Sequence, residues 1–173
     1  MINVKGRNYF GTADGLIIYD GFDKRLSHKG HDSMIRSFAY DGQYTIYSSS
    51  DDFSIKAWDI HDNKIKLAKT FRKMEDYSSY HRNICVMDHG EILVSTRGQF
   101  DEYKIRLWDI QNDFDNVGTL SDQHNNFIRG MVNSKNKIFT ISDDKSLKVW
   151  KMESSTPILS KSFNAKMTHI EVN

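Results

Sequence analysis

Apolar residues in this chain arrive in short bursts: "LIIYD" at 16–20, "YTIYSSS" at 44–50, "EILVST" at 91–96 and "KIFTIS" at 137–142. Each is cut off by Gly, Asp, Asn or Ser. Short β-branched and aromatic runs bounded by turn formers read as strands, and no stretch sustains the 3.6-residue apolar stripe of a helix. The pattern predicts an all-β protein with strands in four groups of four. The first group is 2–4, 9–12, 16–19 and 24–28; the second is 35–40, 44–49, 55–58 and 65–71. The third is 84–87, 91–96, 104–108 and 117–120; the fourth is 127–132, 137–142, 147–150 and 158–163.

The groups are written in the same words. Residues 50–58 read "SDDFSIKAW" and residues 142–150 read "SDDKSLKVW". The closing aromatics are Tyr19, Trp58, Trp108 and Trp150, separated by 39, 50 and 42 residues. Two of these steps lie at or beside the roughly 40–45 residues of a four-stranded propeller blade, and an insertion accounts for the third. A histidine precedes each tryptophan: His31 and His81 by 27 residues, His124 by 26. Asp52 and Asp144 stand six residues before Trp58 and Trp150, and Ser48 and Thr140 four residues before those acids.

With "GH" at 30–31, "DFSIKAWD" at 52–59, "KIRLWD" at 104–109 and "DKSLKVW" at 144–150, the chain resembles the WD-repeat β-propeller family over nearly its whole length. The resemblance implies four four-stranded antiparallel blades at about 1–28, 29–71, 80–120 and 124–163. It also implies buried hydrogen-bonded tetrads, His31–Ser48–Asp52–Trp58 in one blade and His124–Thr140–Asp144–Trp150 in another. The physical logic is structural: a four-stranded sheet buries both faces by stacking on its neighbours, and buried imidazole and indole N–H groups need partners. The third repeat departs from the pattern. His81 and Trp108 keep their spacing, but the turn at "MDHGE" is short, the loop at 96–104 is long, and Glu102 replaces the aspartate.

The final "AKMTHIEVN" aligns with "HDSMIRSFA", so 168–173 is expected to be the first strand of a fifth unit. The expectation is therefore a partial or open ring. Two readings are open: the missing blades come from a longer parent chain, or two copies close an eight-bladed ring as a homodimer.

Bulk properties narrow the partners. The chain has 24 Lys and Arg against 23 Asp and Glu, interleaved rather than blocked, which gives no reason to expect nucleic acid or an anionic membrane. One cysteine, Cys85, allows no internal disulfide and fits a reducing compartment. No stretch approaches a signal peptide or a membrane span, so a cytoplasmic location is expected, with the nucleus compatible.

Candidate chemistry is thin. His28 and His31 have ligand-like spacing, but His31 has a tetrad role, His28 falls on an outer strand expected to be exposed, and nothing completes a metal site. The acid pairs Asp51–Asp52 and Asp143–Asp144 are explained by the repeat, one acid serving the tetrad and its neighbour a turn. Cys85 follows His81 by four residues, yet inner-strand placement makes it a core thiol. No phosphate-cradling glycine loop and no nucleophile elbow is present. No catalytic residue, metal or cofactor is therefore expected. Arg36 and Arg129, with Met34 and Phe127 beside them, occupy equivalent places and are the candidate protein-contact residues. The expected function is a non-catalytic scaffold or adaptor binding proteins or peptides. The alternative is the regulatory or substrate-recognition propeller of a larger enzyme, such as a ubiquitin ligase subunit or a protein kinase.

Overall fold

The computed structural model describes residues 1–20, 25–61, 64–71, 80–87, 92–98, 103–111, 115–120, 124–153 and 156–164. Among them are sixteen strands and no helix. They form four antiparallel meanders, each of four strands in sequence order. The first sheet contains β1 (Ile2–Val4), β2 (Arg7–Gly11), β3 (Leu16–Asp20) and β4 (Arg25–Lys29). The second contains β5 (Ile35–Tyr40), β6 (Thr45–Ser50), β7 (Ile55–His61) and β8 (Lys64–Phe71). The third contains β9 (Tyr80–Val86), β10 (Ile92–Gly98), β11 (Ile105–Asp109) and β12 (Asp115–Thr119). The fourth contains β13 (Ile128–Ser134), β14 (Lys137–Ser142), β15 (Ser146–Glu153) and β16 (Thr156–Asn164). The expected strand at 168–173 and the Glu102 position lie outside the described residues.

The chain divides into two compact units, Met1–Ile84 and Cys85–Asn173, the boundary falling within β9. In the first unit, the facing sides of sheets one and two bury Val4, Tyr9, Ile17, Tyr19, Ile46 and Trp58 in one cluster. Ile17, Ile46 and Trp58 are wholly inaccessible, so each carries a full burial contribution of about 1.5–3 kcal/mol. The second unit has its own cluster, with Val94, Ile105, Ile138 and Trp150 at its centre.

Sheets one and two are also joined through backbone. The amides of Gly30 and His31 both donate to the carbonyl of Gly15 at 2.9 Å, and the Ile35 amide donates to the Thr12 carbonyl at 3.1 Å. The close approach dictates two glycines. A Cβ on Gly30 would lie 2.8 Å from Ile17 Cγ1, and one on Gly15 would lie 2.1 Å from the His31 oxygen.

Hairpin turns follow their backbone demands. Lys5 and Gly6, both at positive φ (50° and 77°), form a two-residue connection of the type that suits strand twist. Lys135 and Asn136 do the same between β13 and β14 (44° and 59°).

Two expectations are revised. His81 sits inside β9 rather than in a loop, because that strand begins at Tyr80, four residues before the expected start. His28 is not an exposed outer-strand residue: its ring meets Trp58 edge-on, with centroids 5.4 Å apart. The bulky indole reaches across to the neighbouring sheet and draws the imidazole into its packing.

Candidate functional site

Each unit contains one complete polar network inside its apolar packing. Register explains why the right side chains meet. Trp58 pairs with Ile46 across β6–β7, so Ser48, two residues further along β6, points to the same side as the indole. Trp150 pairs with Ile138, which places Thr140 identically. Trp58 Nε1–H donates to Ser48 Oγ at 2.8 Å, and Trp150 Nε1–H to Thr140 Oγ1 at 3.1 Å.

The hydroxyl then meets the histidine. His31 Nε2 lies 2.7 Å from Ser48 Oγ, and its Nδ1 lies 2.9 Å from Asp52 Oδ2. For His124 the corresponding distances are 2.7 Å to Thr140 Oγ1 and 2.8 Å to Asp144 Oδ2. An ionised carboxylate only accepts, so Nδ1–H donates to it, and in a neutral ring Nε2 then accepts from the hydroxyl. Every donor therefore runs one way, from indole to hydroxyl to imidazole to carboxylate.

Ser54 and Ser146 complete the carboxylate shell. Each hydroxyl donates to the acid at 2.6 Å, and each lies 3.0–3.1 Å from the histidine Nδ1. The amides of Asp32 and Asn125 donate to the same carboxylates at 3.0 Å. The sequence reading assigned no role to these two serines, although both recur in the repeated phrase.

In the third sheet Trp108 Nε1–H donates to Ser95 Oγ at 2.8 Å, and Ser95 was missed as the counterpart of Ser48 and Thr140. His81 is buried. The residues that would supply its acid lie at 99–102, outside the described ones.

A hydroxyl, an imidazole and a carboxylate in line also describe a nucleophilic triad. Here the hydroxyl is sealed: Ser48 and Thr140 have no accessible surface, and each oxygen already accepts an indole N–H. Neither oxygen can reach a substrate carbonyl. Cys85 is equally enclosed, and burial pushes its thiol up to about 12, so it carries no thiolate at neutral pH. Among the described residues no three His, Cys, Asp or Glu side chains are arranged to hold a metal ion.

Burial by itself would raise the two network acids. For Asp52, hydrogen bonds from His31, Ser54 and the Asp32 amide outweigh burial and hold the carboxyl well below its usual range. For Asp144, Ser146, the Asn125 amide and His124 do the same and bring it to about 2. His124 is lowered by its own burial, only partly offset by Asp144. All three groups have depressed folded-state values, so their stabilisation is complete above the unfolded values and is lost as pH falls. The melting temperature should decline gently below about pH 6.5 and steeply between about pH 4 and 2. Substituting Asp52→Asn together with Asp144→Asn should flatten the steep limb in thermal melts; a wild-type profile flat down to pH 2 would contradict this assignment.

The contact candidates occupy irregular positions. In β5 the register passes from Ile35↔Ser50 to Ser37↔Ser49, leaving Arg36 as the extra residue of a β-bulge. Arg129 is the equivalent extra residue in β13. A bulge re-aims its side chain, and both arginines turn toward the acid that precedes the network acid. Arg36 Nε donates to Asp51 Oδ1 at 2.8 Å, with a second bond to Oδ2. Arg129 grips Asp143 likewise, which raises the arginine and lowers the acid. The second and fourth sheets thus each present a bidentate ion pair rather than a lone guanidinium. The Arg36 and Arg129 side chains remain 31% and 47% exposed. Met34 and Phe127 are half-buried beside them and anchor the turns, their carbonyls accepting the Asp51 and Asp143 amides at 3.0 Å. Phe127 also meets Tyr103 edge-on with centroids 5.1 Å apart.

Four-stranded meanders braced by indole–hydroxyl–imidazole–carboxylate chains define blades of a β-propeller. Residues 23–59 match the family model described as "WD domain, G-beta repeat", and the chain carries a WD repeat there. That match takes in the fourth strand of the first sheet and ends within the third strand of the second, so the sequence repeat straddles two blades. Solved structures share the fold. "Crystal Structure of Mitotic Checkpoint Complex" superposes with a TM-score of 0.73 at 16% identity, over 94% of this chain and 51% of that one. The computationally designed Ika8 protein gives 0.65 at 20% identity, over 91% and 46%. The chain therefore spans about half the length of the structures it resembles. No curated protein matches it by sequence.

Proposed function

We propose that this protein is a non-catalytic interaction scaffold, binding other proteins or peptides through the bulged end of its repeats. The observation that carries this reading is the division of labour within each repeat. The hydroxyls and imidazoles with catalytic chemistry are buried in the network, whereas the Arg36–Asp51 and Arg129–Asp143 pairs stay partly accessible beside an apolar side chain. Arginine flanked by apolar surface is a common anchor of protein interfaces. One structure that shares the fold is that of a mitotic checkpoint complex, which is in keeping with such a role.

The test is affinity capture with the wild type and with Arg36→Ala/Arg129→Ala, at matched melting temperature. Partners retained by the wild type should bind the double variant at least about tenfold more weakly, as expected for hot-spot arginines. An identical capture profile would remove these residues from the interface.

The half-length coverage of solved propellers supports a second reading, in which the assembly takes its other blades from elsewhere. Those blades come from a second copy of this chain or from a parent chain, including that of a larger enzyme such as a ubiquitin ligase subunit or a kinase. Light scattering separates the two: a sharp species at twice the 20.2 kDa chain mass means a homodimer. We propose a cytoplasmic location, with the nucleus compatible, and imaging of a tagged chain tests that.

A further inference from the structure

The end of the first unit away from its network carries a different chemistry. In a four-stranded meander the β5–β6 and β7–β8 connections fall at one end, and the β6–β7 turn that holds Asp52 falls at the other. At the former end, beside the β1–β2 turn, lies a cleft of about 530 Å³. Val4, Tyr9 and Ile60 contribute to its lining. Lys5, Arg7, His61 and Lys64 line its walls with Tyr44, and among the described residues no acid lines it. In a chain whose net charge is only +1, three permanent cations around one cleft are a local concentration of charge.

The cations are held before any ligand arrives. Lys5 sits at the tip of the tight β1–β2 turn, and its Nζ lies 3.9 Å from the Tyr44 ring centroid. The Tyr44 ring also stacks on His61, with centroids 4.4 Å apart and planes 20° from parallel. Lys5, Tyr44 and His61 thus make one column along the wall. Arg7 is positioned by a hydrogen bond with the buried Tyr9 phenol. Among the described acids, Asp41 Oδ1 accepts the Gln43 and Thr45 amides of its own turn, and Asp20 Oδ2 accepts from Asn8 Nδ2.

We propose that this cleft binds a phosphate monoester. Both faces of Tyr44 are occupied, which leaves electrostatics and hydrogen bonding, rather than aromatic stacking, to recognise the ligand. A phosphate dianion offers three terminal oxygens to two ammonium groups and a guanidinium fork, where a single carboxylate offers two. The volume accommodates the phosphate and its immediate carrier, within the usual range for small-ligand sites. The site lies at the opposite end of the second sheet from Arg36, so it stands independently of the protein-contact reading.

Titrations of the full chain, followed by ³¹P NMR and calorimetry, should use inorganic phosphate and a phosphoserine peptide with small neutral flanks. Saturable binding is expected, weakened at least about tenfold by Lys5→Glu/Lys64→Glu. The same charge change at Lys29→Glu/Lys145→Glu should alter affinity by no more than about twofold, since those lysines lie outside the cleft. Circular dichroism melts establish that all variants are folded. Tighter binding of the peptide than of inorganic phosphate identifies a phosphorylated chain as the source; equal binding identifies a free phosphate-bearing molecule. Absence of saturation, or equal weakening by both double substitutions, would overturn the proposal.

Discussion

Replacing Trp58 with alanine should lower the unfolding free energy by about 3–5 kcal/mol, a large share of the stability of an ordinary domain. The indole is fully buried at the centre of the first unit's core, so truncation leaves a cavity among Ile46, Ile17 and the rings of His28 and His31. It also removes the N–H that Ser48 Oγ accepts, leaving a buried oxygen short of one partner. Trp58→Phe separates the two effects, because it keeps most of the volume and loses only the hydrogen bond and the outer ring. Its cost should be about half that of the alanine change or less. Urea denaturation of the three proteins measures both steps. Equal losses for Phe and Ala would mean that hydrogen bonding dominates; a loss below about 1 kcal/mol for Ala would mean that the indole is not part of the core.

A smaller chemical change should be nearly as damaging. Gly15→Ala adds one methyl, yet its Cβ would stand 2.1 Å from the His31 oxygen and 2.9 Å from the Ser33 oxygen. These atoms are backbone and belong to the segment that delivers His31 to its network, so neither can yield without dragging the histidine from Asp52. Gly15 also sits at φ 82°, which an L-residue occupies at a cost of roughly 1–2 kcal/mol. The expected total is about 3 kcal/mol or more. Gly42 has the same φ of 82° with nothing within 4 Å of its added Cβ, so Gly42→Ala should show the conformational cost alone. Equal destabilisation by the two substitutions would show that the contact between the Gly15 turn and the His31 segment does not constrain the fold.

These two positions mark the boundary between what the sequence discloses and what it hides. Trp58, His31, Ser48 and Asp52 are legible because the motif repeats: the same spacing returns at Trp150, His124, Thr140 and Asp144, and a chance match does not keep phase. The strand pattern is legible for the same reason, since alternation and turn residues are local properties. Gly15 is not legible. In the equivalent turn positions stand Phe53 and Lys145, both also at positive φ, so backbone conformation alone does not demand glycine there. What demands it is the His31 carbonyl from the next repeat, a contact that only the folded sheets create.

The ion pairs were hidden likewise. "DD" shows two acids, but only the bulge at Arg36 and at Arg129 reveals that the first acid holds an arginine while the second holds a histidine. His28 was misread because its place on an outer strand suggested exposure, whereas its ring packs edge-on against Trp58 of the neighbouring sheet. The basic cleft could not be read at all. Lys5, Arg7, Tyr44 and Lys64 belong to three separate hairpins, and no linear spacing brings them together.

The claim on which the rest stands is that the hydroxyl–imidazole–carboxylate chains are sealed structural braces, leaving recognition to the surface. Hydrogen exchange of the Trp58 and Trp150 indole N–H groups, followed by side-chain ¹⁵N NMR on the intact chain, measures that directly. If the networks are braces, each indole proton exchanges only as fast as the most protected core amides of its own sheet, β6–β7 or β14–β15, and that protection is lost on acidification. An indole exchanging as fast as one exposed to solvent would show that the network is open to water, and the hydroxyl–imidazole–carboxylate set would then have to be reconsidered as chemistry.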